Sequence, residues 1–161
     1  RYIINGERII EAILSKEPNN SSILSYKAAF LGFRIALSNF KAITLGVKSI
    51  KLSNRAYQIN PNCFNTNLEK ANILNYSPKF VGGDKNEALK YYLKALNIYL
   101  SQHILKEDWN YLSLRATIIN LMIELKEYNS AKKELDLLLL EFPNFKWAKD
   151  EISPNLKLLI K

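Results

Sequence analysis

Few side chains in this sequence are of the types that carry out chemistry. His103 is the only histidine and Cys63 the only cysteine. Acid–base and nucleophilic catalysis need a base held beside the group it activates, and no carboxylate, histidine and nucleophile are spaced to provide that. Structural zinc sites are built mostly from several Cys and His ligands, which one of each cannot supply. Cys63 follows Pro61-Asn62 at an expected helix start, where a thiol can be activated; a packed, inert thiol is the simpler reading. The pairs Glu107-Asp108 and Asp150-Glu151 read as helix-start charges that suit the helix dipole. The run Phe80-Val81-Gly82-Gly83-Asp84-Lys85 lacks the spacing of a phosphate loop and follows no strand, and Asp84 would repel phosphate. It reads as a structural turn with Phe80 packed inward. No catalytic residue, metal or cofactor is expected, and the chain is read as a non-enzyme.

Positive charge is the other chemical resource. The 161 residues carry a net charge of +8. Between Pro18 and Leu68 there is no Asp or Glu, while Lys27, Arg34, Lys41, Lys48, Lys51 and Arg55 lie there. Such a segment attracts anionic partners. Lys27, Arg34, Lys41, Lys48 and Arg55 recur every seven residues, but two helices and a loop separate them, so they do not share one face. Lys48, Lys51 and Arg55 do share a helix face, read most simply as a solvated back. No nucleic-acid-binding motif is present, which makes nucleic acid the minor alternative to a protein partner.

Helices must position these groups. Five Gly and five Pro are few for an all-β chain of this length, and no segment alternates with period two. No apolar run reaches the ~18 residues of a membrane-spanning helix. Apolar residues recur instead at steps of three and four. In Asp84–Ser101 one stripe is Ala88, Tyr92, Ala95 and Tyr99, beside a second of Leu89, Leu93, Leu96 and Leu100. Two stripes predict contact on two sides. Related patterns mark helices in Glu7–Lys16, Val47–Asn60 and Ser130–Phe142. Upstream partners run over Ser21–Leu37, Phe64–Leu74 and Trp109–Leu125. A last helix is expected from Asn144, interrupted by Pro154. Asn20, Ser21 and Ser22 offer cap oxygens, Asp84 stands three residues before Glu87 as in a capping box, and Gly82-Gly83 allows positive φ.

Pro-Asn pairs punctuate these segments at Pro18-Asn19, Pro61-Asn62 and Pro143-Asn144, spaced by 43 and then 82 residues. This spacing divides the single domain into units 1–19, 20–61, 62–103 and 108–143, with a cap at 144–161. The pattern resembles the tetratricopeptide repeat, a helix pair of ~34 residues. Small residues seven apart around a bulky one match at Ala88, Tyr92 and Ala95, and Lys70-Ala71-Asn72 resembles the matching step on a first helix. Ser49, Ser53 and Ile119 depart from it. Longer loops at 38–46 and 75–83 account for the longer period. The stretches AAFLGFRIALSNFKAITLGVKS, SPKFVGGDKNEALKYYLKAL and FPNFKWAKDEISP are similar to a group of small, often exported bacterial proteins of this kind without assigned function. In that group Gly usually follows Trp109, where Asn110 stands here.

The resemblance implies an all-α, right-handed superhelical solenoid of three helix pairs, a first helix and a C-terminal cap. It also implies a scaffold or adaptor whose concave surface binds a protein or peptide segment. Arg34, Lys41 and Lys48 are the expected receivers of an acidic side chain or C-terminal carboxylate. Asn72 and Asn120 are the expected partners of an extended peptide backbone. The alternatives are an anionic ligand held by segment 18–68, whether nucleic acid, lipid head group or small molecule, and self-association as a homo-oligomer. The chain starts at Arg1 rather than Met, which favours removal of a signal peptide and a periplasmic or envelope location, with the cytoplasm as the other option.

Overall fold

The computed structural model of the chain describes residues 2–37, 42–102 and 108–160. These are largely helical, with eight α-helices and no strand among the described residues. The helices are α1 (Tyr2–Lys16), α2 (Ser21–Leu37), α3 (Ala42–Ile59), α4 (Phe64–Tyr76), α5 (Lys85–Ser101), α6 (Trp109–Glu124), α7 (Tyr128–Glu141) and α8 (Ser153–Leu159). The chain gathers into two compact units, Arg1–Ile98 and Tyr99–Lys161. Among the described residues no helix is long and apolar enough to cross a membrane.

Local chemistry accounts for most of the boundaries. Asn20 caps α2 by accepting from the Ile23 amide at 3.1 Å. Asp84 caps α5 by accepting from the amides of Asn86 and Glu87. The return half of the capping box is not made, because the Asp84 amide donates to the Leu74 carbonyl instead. Asp108 caps α6 through the Asn110 amide, and Asn110 holds its carboxyl below the usual range. The α6 end closes on Lys126, whose φ of 64° lets the Lys126 and Glu127 amides reach the Ile123 and Met122 carbonyls.

In the first unit, α2, α3 and α4 pack on one another through small side chains. Ser25 and Ala28 on α2, Ser49, Ser53 and Ala56 on α3, and Thr66 and Ala71 on α4 are all buried. The Ser49 hydroxyl donates to the Ala28 carbonyl at 3.0 Å, and Ser25 donates to the Ser21 carbonyl. The first α5 stripe is fully buried at Ala88, Tyr92 and Ala95. The second is not continuous: Leu89 is buried, whereas Leu93 and Leu100 are exposed. α3 begins at Ala42, so residues 42–46 belong to the helix and not to a long loop.

In the second unit, α6 packs on α7. Leu114, Ile118, Ile119 and Leu121 of α6 and Ala131, Leu135 and Leu138 of α7 are all buried. The buried Arg115 lies within that apolar stretch, its Nη1 2.8 Å from Glu141 and its Nη2 3.5 Å from Glu134. Pro154 marks a break in the last helical stretch, which passes there from a π-helical turn to α8. It lies in the first turn of α8, where a missing amide proton is harmless, and a π-helical turn over Trp147–Ile152 precedes it.

The turn before α5 is structural, but Phe80 is 87% exposed and does not pack inward. Its two glycines act differently. Gly82 has φ +98°, while a Cβ on Gly83 would lie 1.8 Å from the Ser77 carbonyl oxygen. Backbone cannot yield as a side-chain tip can, so Gly83→Ala should destabilise the fold by about 2 kcal/mol or more. A Cβ at Gly32, in α2, meets open space. Gly32→Ala should stabilise by ~0.5–1 kcal/mol through helix propensity. Urea denaturation of both variants tests the opposite signs.

Candidate binding groove

α1 and α3 each pack on α2 and leave a groove of about 870 Å³ bounded by all three helices. From α2 it is lined by Lys27, Phe30, Leu31 and Arg34. Those positions advance by three, one and three, so they form one helix face. From α3 come Leu45, Lys48, Lys51 and Leu52, and from α1 Ile4, Glu7, Arg8, Ile10 and Glu11. Apolar side chains from three helices are thus bordered by five cations and two carboxylates.

A close approach fixes one wall. A Cβ on Gly6 would lie 2.4 Å from the Phe30 ring, so the glycine lets that ring rest against the α1 backbone. Charge pairing fixes the same wall. Glu11 meets Lys27 at 2.6 Å and Glu7 meets Arg34 at 2.5 Å. Two carboxylates one turn apart on α1 therefore engage two cations two turns apart on α2. No carboxylate among the described residues pairs with Arg8, Lys48 or Lys51.

Arg34 and Lys48 thus line a common groove. Lys41 lies outside the described residues. Lys48 and Lys51, read from sequence as a solvated back, border the groove, and Arg55 does not. Its guanidinium donates to the Pro18 carbonyl and the Asn19 side chain, pinning the α1–α2 turn. Asn72 and Asn120 are not part of the groove. Asn120 is a half-buried residue of α6, in the second unit. The Asn72 oxygen accepts from the Tyr92 hydroxyl at 2.7 Å, and its amide donates to Glu69 at 3.3 Å.

Sequence reasoning passed over the α1 carboxylates because residues 1–17 are neutral in sum; their spacing of one turn was the available signal. It also passed over Glu69, which is 8% exposed. Burial pushes that carboxyl up to about 7, against the opposing effect of the Asn72 hydrogen bond. Next to it, Lys70 is directed to the Asn54 side chain and the Tyr57 and Tyr91 rings. Among the described residues no three metal-binding side chains converge. The chain matches no protein-family model and no curated protein.

Glu69 gives the fold a pH dependence of defined sign. Its proton is held more tightly in the folded chain (about 7) than at the ordinary value of 4.5. The contribution to stability is therefore full below 4.5, declines as pH rises towards 7, and is level above that. The shift corresponds to about 3 kcal/mol. Glu69→Gln should be more stable than wild type at pH 8 and should lose the decline between pH 5 and 7. Denaturant titrations at pH 5, 6, 7 and 8 check this; parallel profiles for the two proteins would contradict it.

Proposed function

We propose that the chain is a non-enzymatic protein-binding scaffold, a degenerate tetratricopeptide-like array that receives a protein segment in the groove between α1, α2 and α3. One observation carries the reading: Arg8, Lys48 and Lys51 border an apolar floor without a carboxylate partner among the described residues. Unpaired cations beside exposed apolar surface are what a complementary partner would cover. The sequence periodicity supports the repeat assignment. The small residues Ala56, Ala71, Ala88, Ala95 and Ala131 are fully buried, which agrees with the close helix packing that such a repeat requires. The binding wall in this reading includes the second helix of a pair, α3, and not first helices alone.

The same cations favour a second reading, an anionic ligand that is not a protein. The two differ in salt dependence. A ligand held chiefly through phosphates loses affinity steeply as salt rises, with a log–log slope close to the number of phosphates neutralised. A segment anchored on the apolar floor loses less.

Cross-linking in the native host followed by mass spectrometry tests the proposal. Wild type should capture a defined protein, and Arg34→Glu/Lys48→Glu should lose at least ten-fold of it while keeping its helical circular dichroism. Capture unchanged in the variant would refute the groove as the site. Nucleic acid or lipid in place of protein would transfer support to the second reading.

A further inference from the structure

We propose that the groove's occupant is an amphipathic α-helix carrying carboxylates about one turn apart along the edge of its apolar stripe. This rests on the protein-binding reading above and adds the chemistry of the partner.

Shape is the first ground. The lining residues of α2 run from Lys27 to Arg34 and those of α3 from Leu45 to Leu52. Seven residues of helix extend about 10 Å, so the groove is a trough along two turns of its walls and not a pit that fits one ion. A helix laid in such a trough inserts side chains spaced i, i+3 or i+4, and i+7.

The floor is the second ground. Phe30 and Leu31, with Leu45 and Leu52 opposite, offer apolar surface and no sheet edge. An extended segment would bring backbone donors and acceptors against that surface without partners, which is costly. A helix arrives with its interior backbone groups already hydrogen-bonded.

Charge is the third, and α1 displays the mode of recognition. Its Glu7 and Glu11, four residues apart, meet Arg34 and Lys27 on the neighbouring helix. α3 offers Lys48 and Lys51, three residues apart and close to one turn, with no counterpart among the described residues. A helix seated beside α3 with glutamates four apart would give these lysines what α1 gives α2. Arg8 on the opposite wall would take a further carboxylate.

The test uses the full chain and fluorescein-labelled, side-chain-stapled peptides with a leucine stripe and glutamates four apart on its edge. Glutamine counterparts, phosphatidylglycerol vesicles and a single-stranded oligonucleotide serve as competitors. Fluorescence anisotropy at physiological salt should show binding of the glutamate peptides. It should weaken at least ten-fold for the glutamine peptides and for Lys48→Glu/Lys51→Glu, and be kept by Lys48→Arg/Lys51→Arg. Equal binding of the glutamine peptides, no loss in the charge-reversed variant, no binding by any glutamate peptide, or full displacement by vesicles or oligonucleotide would each overturn the proposal. Loss of host-protein capture in Arg34→Glu/Lys48→Glu, together with failure here, would leave the scaffold reading standing and remove only the acidic helix.

Discussion

The first unit depends on a seam of small side chains. Ser25 and Ala28, Ser49, Ser53 and Ala56, and Thr66 and Ala71 are buried where α2, α3 and α4 meet. Helix axes approach most closely where the contacting residues are small, near the lower end of the usual 8–10 Å. Two hydroxyls of the seam find acceptors in the carbonyls of Ser21 and Ala28, while the buried Ser53 hydroxyl meets no hydrogen-bond partner among the described residues. The seam removes little apolar surface per residue. Larger apolar side chains of α1, α2 and α3, among them Ile4, Phe30, Leu31, Leu45 and Leu52, line the groove.

The groove follows from that arrangement. With α3 drawn onto α2 by small residues, and α1 seated by Gly6 against the Phe30 ring, Leu31, Leu45 and Leu52 line a trough. Cationic side chains border it because their long apolar stems can lie along such surface with the charge in water. α1 neutralises the α2 cations and leaves those of α3 open. Exposed pairs such as Lys27–Glu11 contribute little stability, about 0–1 kcal/mol. Their consequence is electrostatic pattern: one row of the basic segment is satisfied internally and the other is available.

The helices were legible in the sequence wherever an apolar stripe was uninterrupted. α2 carries the bounds expected for it, α5 and α6 agree to within a residue, and capping by Asp84 and Asn20 was visible in residue type. α1 and α3 start five residues earlier than expected, because Tyr2, Ile4, Ile43 and Val47 are exposed and weaken the amphipathic signal. The groove itself was half legible. Arg34 and Lys48 could be chosen from the acid-free segment, but their companions Glu7, Glu11 and Arg8 come from a helix separated in sequence and neutral in sum. Phe80 misled because an aromatic in a Gly-rich turn looks like an anchor, whereas the turn is held by backbone bonds from Gly83 and Asp84 to Pro78 and Leu74. Buried charge was invisible: Glu69 and Arg115 carry no local pattern that separates them from surface residues.

The lysines of α3 are open while that of α2 is paired, and lysine reactivity reads this directly. Brief labelling of the free protein with an amine-reactive ester, quantified residue by residue by mass spectrometry, should modify Lys48 and Lys51 several-fold faster than Lys27. Labelling repeated on the Glu11→Gln variant should raise Lys27 to their level. Equal rates in the wild-type protein, or a Lys27 rate unmoved by loss of Glu11, would contradict the division of charge on which the groove's recognition rests.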